Sequence, residues 1–372
     1  MSGLLFLLLL SFVACTNTSV PPPSIGFYHW QQRFHTDSLN NCLLAATGSS
    51  HLYVKVMDVG WQNGQATPLS KLDFRANTIP ANLIPVTFMT NEILRQITSD
   101  DLPELARNLV TATEDILGLQ VSNESWLFGL HRSKPTTEQP SRQKQLLPPT
   151  SPAAVTEWQL DCDWTASTKA KYFYLLTEIR QHLPAQVQLS VTVRLHQFIN
   201  QKRQGVPPAD RGVLMAYNVG ELDRIETENS ILDTNITVNY LRPNVNYPLP
   251  LDIALPYYQW GVIYRDEQLA YLSNDLTANE LSDSTRFERL PPQRYQVKRS
   301  TYLRGYYLYA GDHIRLETIT EASLRVLARQ LRIVPRFAGQ RMLYYHLGSR
   351  IAKQCDGALL RELSSSYAGS LE

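Results

Sequence analysis

The segment Glu157-Trp-Gln-Leu-Asp161-Cys-Asp163-Trp-Thr165 holds the side chains of this sequence best placed for acid–base work. Side chains alternate across a strand, so Glu157, Gln159, Asp161 and Asp163 share one face and Trp158, Leu160, Cys162 and Trp164 the other. A row of carboxylates is not a core face, because each unpaired buried charge costs several kcal/mol. Such a row lines a wet pocket or is met by cations. Two neighbouring carboxyl groups also raise one another's pKa, so that one can stay protonated as a general acid. Asp163 and Asp161 are therefore the first catalytic candidates, with Glu92 and Glu157 as alternative acids.

These groups need elements to hold them. Apolar runs bounded by turn signals mark strands at about 25–30, 52–59, 84–89, 157–164, 188–195, 213–218, 251–256 and 342–347. Helical patterns lie between several of them. Ser99-Asp-Asp-Leu-Pro opens one helix to about Leu117, Ser167 or Thr168 opens another to about His182, and a third covers roughly 229–240. Strands alternating with helices point to an α/β fold, a (β/α)8 TIM barrel formed by residues 24–372 as a single domain. An open doubly wound sheet would want a Gly-rich first turn, which is absent. Two stretches are expected as insertions after strands three and seven, at about 121–152 and 266–334. The second contains strand-like pieces at 295–300, 305–309 and 313–317 and a helix at about 321–331.

In such a barrel the active face lies at the C-terminal ends of the strands. Polar and aromatic residues collect there: Tyr28 and Trp30 on the first strand, Lys55 and Asp58 on the second, Asn91 and Glu92 after the third. The fourth offers Asp161 and Asp163, the fifth Arg194 and His196, and the sixth Tyr217 and Asn218. Trp260 follows the seventh and His346 closes the eighth. An inward Arg194 is a carboxylate partner or a clamp on an acidic ligand. Lys55 reads as a charge partner and Asp252 as structural.

Lys plus Arg (35) nearly balances Asp plus Glu (34), so nothing in the charge favours nucleic acid as a partner. No Cys/His cluster has metal spacing, and no metal or cofactor is expected. The apolar run from Leu4 to Val13 is too short to span a bilayer and suits a signal peptide. It ends in Phe12-Val13-Ala14-Cys15, which resembles a bacterial lipoprotein processing box, although no Lys or Arg precedes the run. The expectation is a signal peptide over 1–15, lipidation of Cys15, a tether over 16–23, and a monomer anchored to the cell envelope by acyl chains, at the outer membrane. A plain secreted protein is the alternative. Cys162 sits on the packed strand face as a buried thiol. Cys42 and Cys355 follow the first and last barrel strands, which are neighbours in a closed ring, and can form a disulfide.

Asp161-Cys-Asp163-Trp, with Met215-Ala-Tyr217-Asn218 about fifty residues later, resembles the chitinase-like family 18 glycoside hydrolases, whose fourth strand carries Asp-x-Asp-x-Glu and sixth Met-x-Tyr-Asp. The wider pattern, including Arg194-Leu-His-Gln and Leu251-Asp-Ile-Ala-Leu-Pro, resembles a group of bacterial lipoproteins with a glycoside-hydrolase-like barrel, over nearly the whole exported chain. The resemblance implies a carbohydrate ligand at the strand C-termini. Two departures matter. The family's catalytic acid falls at Thr165, which cannot protonate a leaving group, and the Asp after its Tyr is here Asn218. At i and i+2 the Cβ atoms of Asp161 and Asp163 stand roughly 6.5–7 Å apart, between the spacings of retaining and inverting carboxylate pairs. The reading is thus a carbohydrate-binding barrel that hydrolyses its ligand through Asp163 and a second carboxyl group. The alternative is a non-catalytic glycan-binding or scaffold protein on a degenerate glycosidase fold.

Overall fold

The alternating pattern closes into a ring. The computed structural model describes residues 20–34, 38–49, 51–74, 83–118, 155–241 and 246–368. Eight parallel strands form the barrel: β1 (Ser24–His29), β2 (His51–Gln62), β3 (Leu83–Met89), β4 (Glu157–Asp161), β5 (Gln188–Arg194), β6 (Arg211–Met215), β7 (Leu251–Pro256) and β8 (Arg341–Leu347). Each pairs with its neighbour in chain order, and β1 closes the ring by pairing with both β8 and β2. A further strand, Gln65–Lys71, folds back antiparallel on the far half of β2. The expected signal peptide with Cys15, residues 16–19 of the tether and the 121–152 insertion lie outside the described residues.

Outward side chains of the strands pack beneath the helices. Leu102–Leu117 and Lys169–His182 turn one apolar side inward, burying Leu105, Leu109, Tyr172, Leu176 and Ile179. Pro103 in the first turn of the former cannot donate a hydrogen bond that no residue there needs. Trp158, Leu160, Cys162 and Trp164 all enter this layer, with the Trp164 ring stacked on Tyr172 at 4.9 Å. Cys162 is a free buried thiol, and Cys42 and Cys355 are joined with their Cα atoms 6.3 Å apart. That bridge ties the helix Ser38–Thr47 to the turn before the helix Gly357–Ala368.

Inside the barrel the polar side chains form layers. At the base, Glu157 is 1% exposed and meets the Arg341 guanidinium. Tyr53 donates to Glu157 at 3.1 Å, and Arg341 donates to the Tyr53 hydroxyl at 2.5 Å. Asp252 accepts from Arg211 at 2.9 and 3.1 Å and from the Arg341 backbone N–H at 2.7 Å. Burial pushes the Asp252 carboxyl up to about 6, against the pull of Arg211 and Arg341. One layer higher, Tyr28 donates to Gln159 at 2.8 Å and Gln159 donates to Ser190 at 3.3 Å. The chain enters at this base: Arg336 donates to the carbonyls of Val20 and, at 2.9 Å, Pro21, and also to Ala368 at 2.5 Å. Ser364 holds the Pro23 carbonyl at 2.7 Å.

Between β7 and β8 the chain builds a second, antiparallel sheet with its own core. Its strand order is Gln268–Asn274, Trp260–Arg265, His313–Glu317, Arg294–Val297, Phe287–Leu290. Ile263, Phe287, Tyr295, Ile314 and Leu308 are among its buried residues. The sheet starts at Trp260, six residues before the 266 boundary read from the sequence, because Trp260–Arg265 pairs on both sides as one of its interior strands.

Candidate functional site

The site lies at the mouth, where alternation along β4 brings Asp161 out of the packed interior and Asp163 into solvent. Asp161 is 8% exposed and accepts a 2.6 Å hydrogen bond from Thr192 of the adjacent strand β5. Burial, reinforced by the Asp163 charge, raises its carboxyl to about 7, while Thr192, Arg194 and Lys55 pull the other way. Asp163 has a side chain 52% exposed, with the Arg194 Nε 3.8 Å from its Oδ1. The face of β4 thus grades upward from a neutralised ion pair through a proton-retaining carboxyl to an open one.

The cations are positioned by strand irregularities. A bulge in β2 between Lys55 and Met57 skips Val56, so that Lys55 and Asp58 fall on one side and pair at 2.8 Å. Ser70 of the folded-back strand also donates to Asp58. The Lys55 ammonium stands 5.1 Å from the Trp30 ring centroid. Arg194 ends β5 and donates to the Asn218 carbonyl at 3.3 Å. Asn218 adopts a left-handed conformation (φ 54°), which Asn tolerates better than most residues, and its side-chain oxygen accepts from the Tyr258 hydroxyl at 2.5 Å.

An aromatic floor surrounds the carboxyl pair. Tyr345 is at its centre: its ring stacks on Tyr217 at 5.4 Å with a 23° tilt and meets Trp30 and Tyr258 edge-on, each at 5.4 Å. Tyr28 lies below at 6.0 Å, and Phe88 borders Trp30 at 6.4 Å. Tyr345, Trp30 and Phe88 keep part of their surface open, whereas Tyr28 and Tyr217 are buried. Tyr345 and Phe88 escaped the sequence reading. Strand parity carried the signal, since Tyr345 shares the inward side of β8 with Arg341, and β3 register sets Phe88 beside Asp161. His346 lies beside Tyr258 at 6.5 Å; its Nδ1 is 2.8 Å from the Leu347 carbonyl, and burial lowers its pKa.

The remaining candidates sit around this centre. His196 is exposed on the short helix after β5; burial of its ring and then Arg194 lower its pKa, opposed by Asp163. Asn91 accepts from Thr168 at 2.7 Å, in a hydroxyl cluster where Thr165 contacts Ser167 at 2.9 Å and Thr168 at 3.3 Å. Glu92 spends its carboxylate locally, with Gln96 at 2.6 Å and Arg95 at 3.5 Å on its own helix. Trp260, the first residue of the inserted sheet, donates its indole N–H to Glu317 of the paired strand at 2.7 Å and meets Tyr258 of the mouth edge-on at 5.2 Å. Glu157, from the same face as the aspartates, is instead committed to the base. Among the described residues no three His, Cys, Asp or Glu side chains form a group able to hold a metal ion.

No family model matches this chain, and no curated protein matches it. Solved structures do. The spore cortex-lytic enzyme SleL of Bacillus megaterium superposes with a TM-score of 0.52 at 12% identity, over 93% of this chain and 75% of that one. The Bacillus cereus spore cortex-lytic enzyme SleL gives 0.49 at 13% identity, over 94% and 75%, and a chitinase of Chromobacterium violaceum 0.45 at 10%, over 92% and 99%. At these identities the likeness is one of fold alone: an eight-stranded parallel barrel.

Proposed function

We propose that the mouth of the barrel binds a carbohydrate and that the Asp161–Asp163 pair hydrolyses it. One observation carries this reading: a buried carboxyl that keeps its proton to about pH 7 stands beside an open one, over a partly exposed aromatic floor. Sugar rings present C–H faces that suit Tyr345 and Trp30, while Arg194, Asn218 and His196 supply hydrogen bonds at the rim. Asp161, oriented by Thr192, delivers its proton to the glycosidic oxygen as that oxygen's bond to the anomeric carbon breaks. Water then adds to that carbon and gives up a proton to the open Asp163 carboxyl, from which it returns to the pair.

A second reading, a glycan-binding protein without turnover, is favoured by Thr165. It occupies the position of the catalytic acid in the family that the β4 motif resembles, and its hydroxyl is engaged with Ser167 and Thr168. A glycan array that includes β-1,4-linked N-acetylglucosamine oligomers, followed by product analysis, separates the two. Asp163→Asn is expected to lower turnover by about 10²–10⁴ with affinity nearly unchanged. Wild-type binding without product selects the second reading, and no binding to any glycan rejects both.

The leader supports an exported lipoprotein of the bacterial envelope, held at the outer membrane through acylated Cys15. The Cys42–Cys355 disulfide fits an oxidising compartment. Incorporation of labelled palmitate into the wild type and its loss in Cys15→Ser is the check.

A further inference from the structure

A second surface is built on the inserted sheet. The hairpin formed by Thr301–Leu303 and Tyr306–Leu308 turns through Arg304 and Gly305, both at positive φ (49° and 88°), as a two-residue hairpin turn requires. Alternation then divides its side chains. Leu303 and Leu308 go inward to the core of the inserted sheet, and Tyr302, Tyr307 and Tyr309 go outward. These three are 71%, 39% and 52% exposed, and they touch one another at 4.8 and 5.0 Å. Solvated aromatic rings massed this way mark a contact surface.

The charge around them is one-sided. Residues 286–311 carry Arg286, Arg289, Arg294, Lys298, Arg299 and Arg304 against the single acid Glu288, in a chain whose formal net charge is only +1. Arg286 donates to Thr301 at 2.6 Å and to the Tyr302 carbonyl at 2.9 Å, which sets the basic run against the hairpin. Arg265 lies over the Tyr309 ring at 4.3 Å. The nearby acids are already engaged: Asp312 by Arg265, Glu280 by Arg304, and Asp283 by Thr285, within the field of Arg286 and Arg299. Arg289, Lys298 and Arg299 are exposed and form no ion pair among the described residues.

We infer that this tyrosine cluster with its basic border is a separate binding surface for an anionic polysaccharide, one bearing carboxylate groups. Ring faces stack on sugar, hydroxyls at the ring edges meet sugar hydroxyls, and the unpaired cations meet the acid groups. A lipid surface would call for Trp, Phe or Leu at the end of the hairpin, where this chain places Arg304 and Gly305 in the turn and Tyr302 and Tyr307 on the strands beside it.

The test is affinity electrophoresis of the full chain in native gels containing polygalacturonate, with dextran as the neutral control. Polygalacturonate is expected to retard the wild type and dextran to leave it unmoved, with the retardation shrinking as salt rises past 0.15 M. Tyr302→Ala/Tyr307→Ala/Tyr309→Ala and, separately, Lys298→Gln/Arg299→Gln are each expected to weaken the interaction about tenfold. All five side chains are exposed, so unchanged melting temperatures confirm that these variants fold. Asp163→Asn should be retarded like the wild type, which keeps this surface distinct from the mouth, whose own ligand binding the tyrosine variant should retain. Equal retardation of wild type and both variants overturns the inference. So does tighter binding to phosphatidylglycerol vesicles or to oligo(dT) than to polygalacturonate.

Discussion

Asp161 is the residue whose environment most constrains the chemistry. Its carboxyl is raised to about 7, first by burial and then by Asp163. An unfolded Asp titrates near 3.9, so between about pH 4 and 7 the folded state binds more protons than the unfolded one. Stability contributed at this site is therefore greatest at low pH and falls as pH rises toward 7. Asp161→Asn should remove that fall. The variant is expected to gain on the order of 1–3 kcal/mol over the wild type at pH 8, a gap that closes near pH 4.5, as read from urea midpoints at both values. If the pair works as an acid, wild-type turnover should also decline above about pH 7. At this scale much was legible: Asp161 and Asp163 follow from residue type and parity alone. The depth of each was not, because it depends on how far β3 and β5 rise beside β4. Tyr345 follows from the same parity as Arg341 on β8, although its neighbour His346 is the titratable group.

Elements explain why the same strand face serves two ends. Glu157 looked equivalent to the aspartates in the sequence, yet it is a structural charge. Its cation, Arg341, comes from a strand 184 residues away, and no local pattern reveals such a partner. Arg341 joins Glu157, Tyr53 and Asp252 in one buried network, so Arg341→Met should leave two carboxylates poorly compensated and cost about 3–5 kcal/mol. Arg341→Met combined with Glu157→Gln should recover part of that loss. Chemical denaturation of the two variants decides, and equal destabilisation would show that the charges are not coupled. The strand-and-helix rhythm located all eight barrel strands because parallel strands buried on both sides read as apolar runs. Cys42 and Cys355 are brought together by ring closure across 313 residues. Replacing both with Ser should lower stability by about 2–5 kcal/mol, with no such loss on adding reductant to the double variant.

The whole molecule is a barrel with its mouth braced from one side. Glu317, buried, accepts from Arg315 and Ser230 at 2.6 Å each and from Trp260 at 2.7 Å. Arg315 in turn donates to the Arg224 carbonyl at 2.6 Å, and Tyr264 to that of Leu222 at 2.6 Å. The inserted sheet therefore grips the long connection after β6 that begins at Asn218. Glu317→Ala should free that connection. Amide exchange across residues 219–232 is expected to accelerate by at least tenfold while β1 to β5 stay protected. The insertion itself was visible in the sequence as strand-like pieces, but not its start, because Trp260 reads equally well as a rim aromatic. At the opposite pole, Arg336 clasps the backbone at Val20 and Pro21. Only residues 16–19 lie between that clasp and Cys15, a span of about 18 Å even when drawn out straight. Under the proposed lipid anchor the protein is held by its foot, like a goblet by its stem, with the bowl opening away from the membrane.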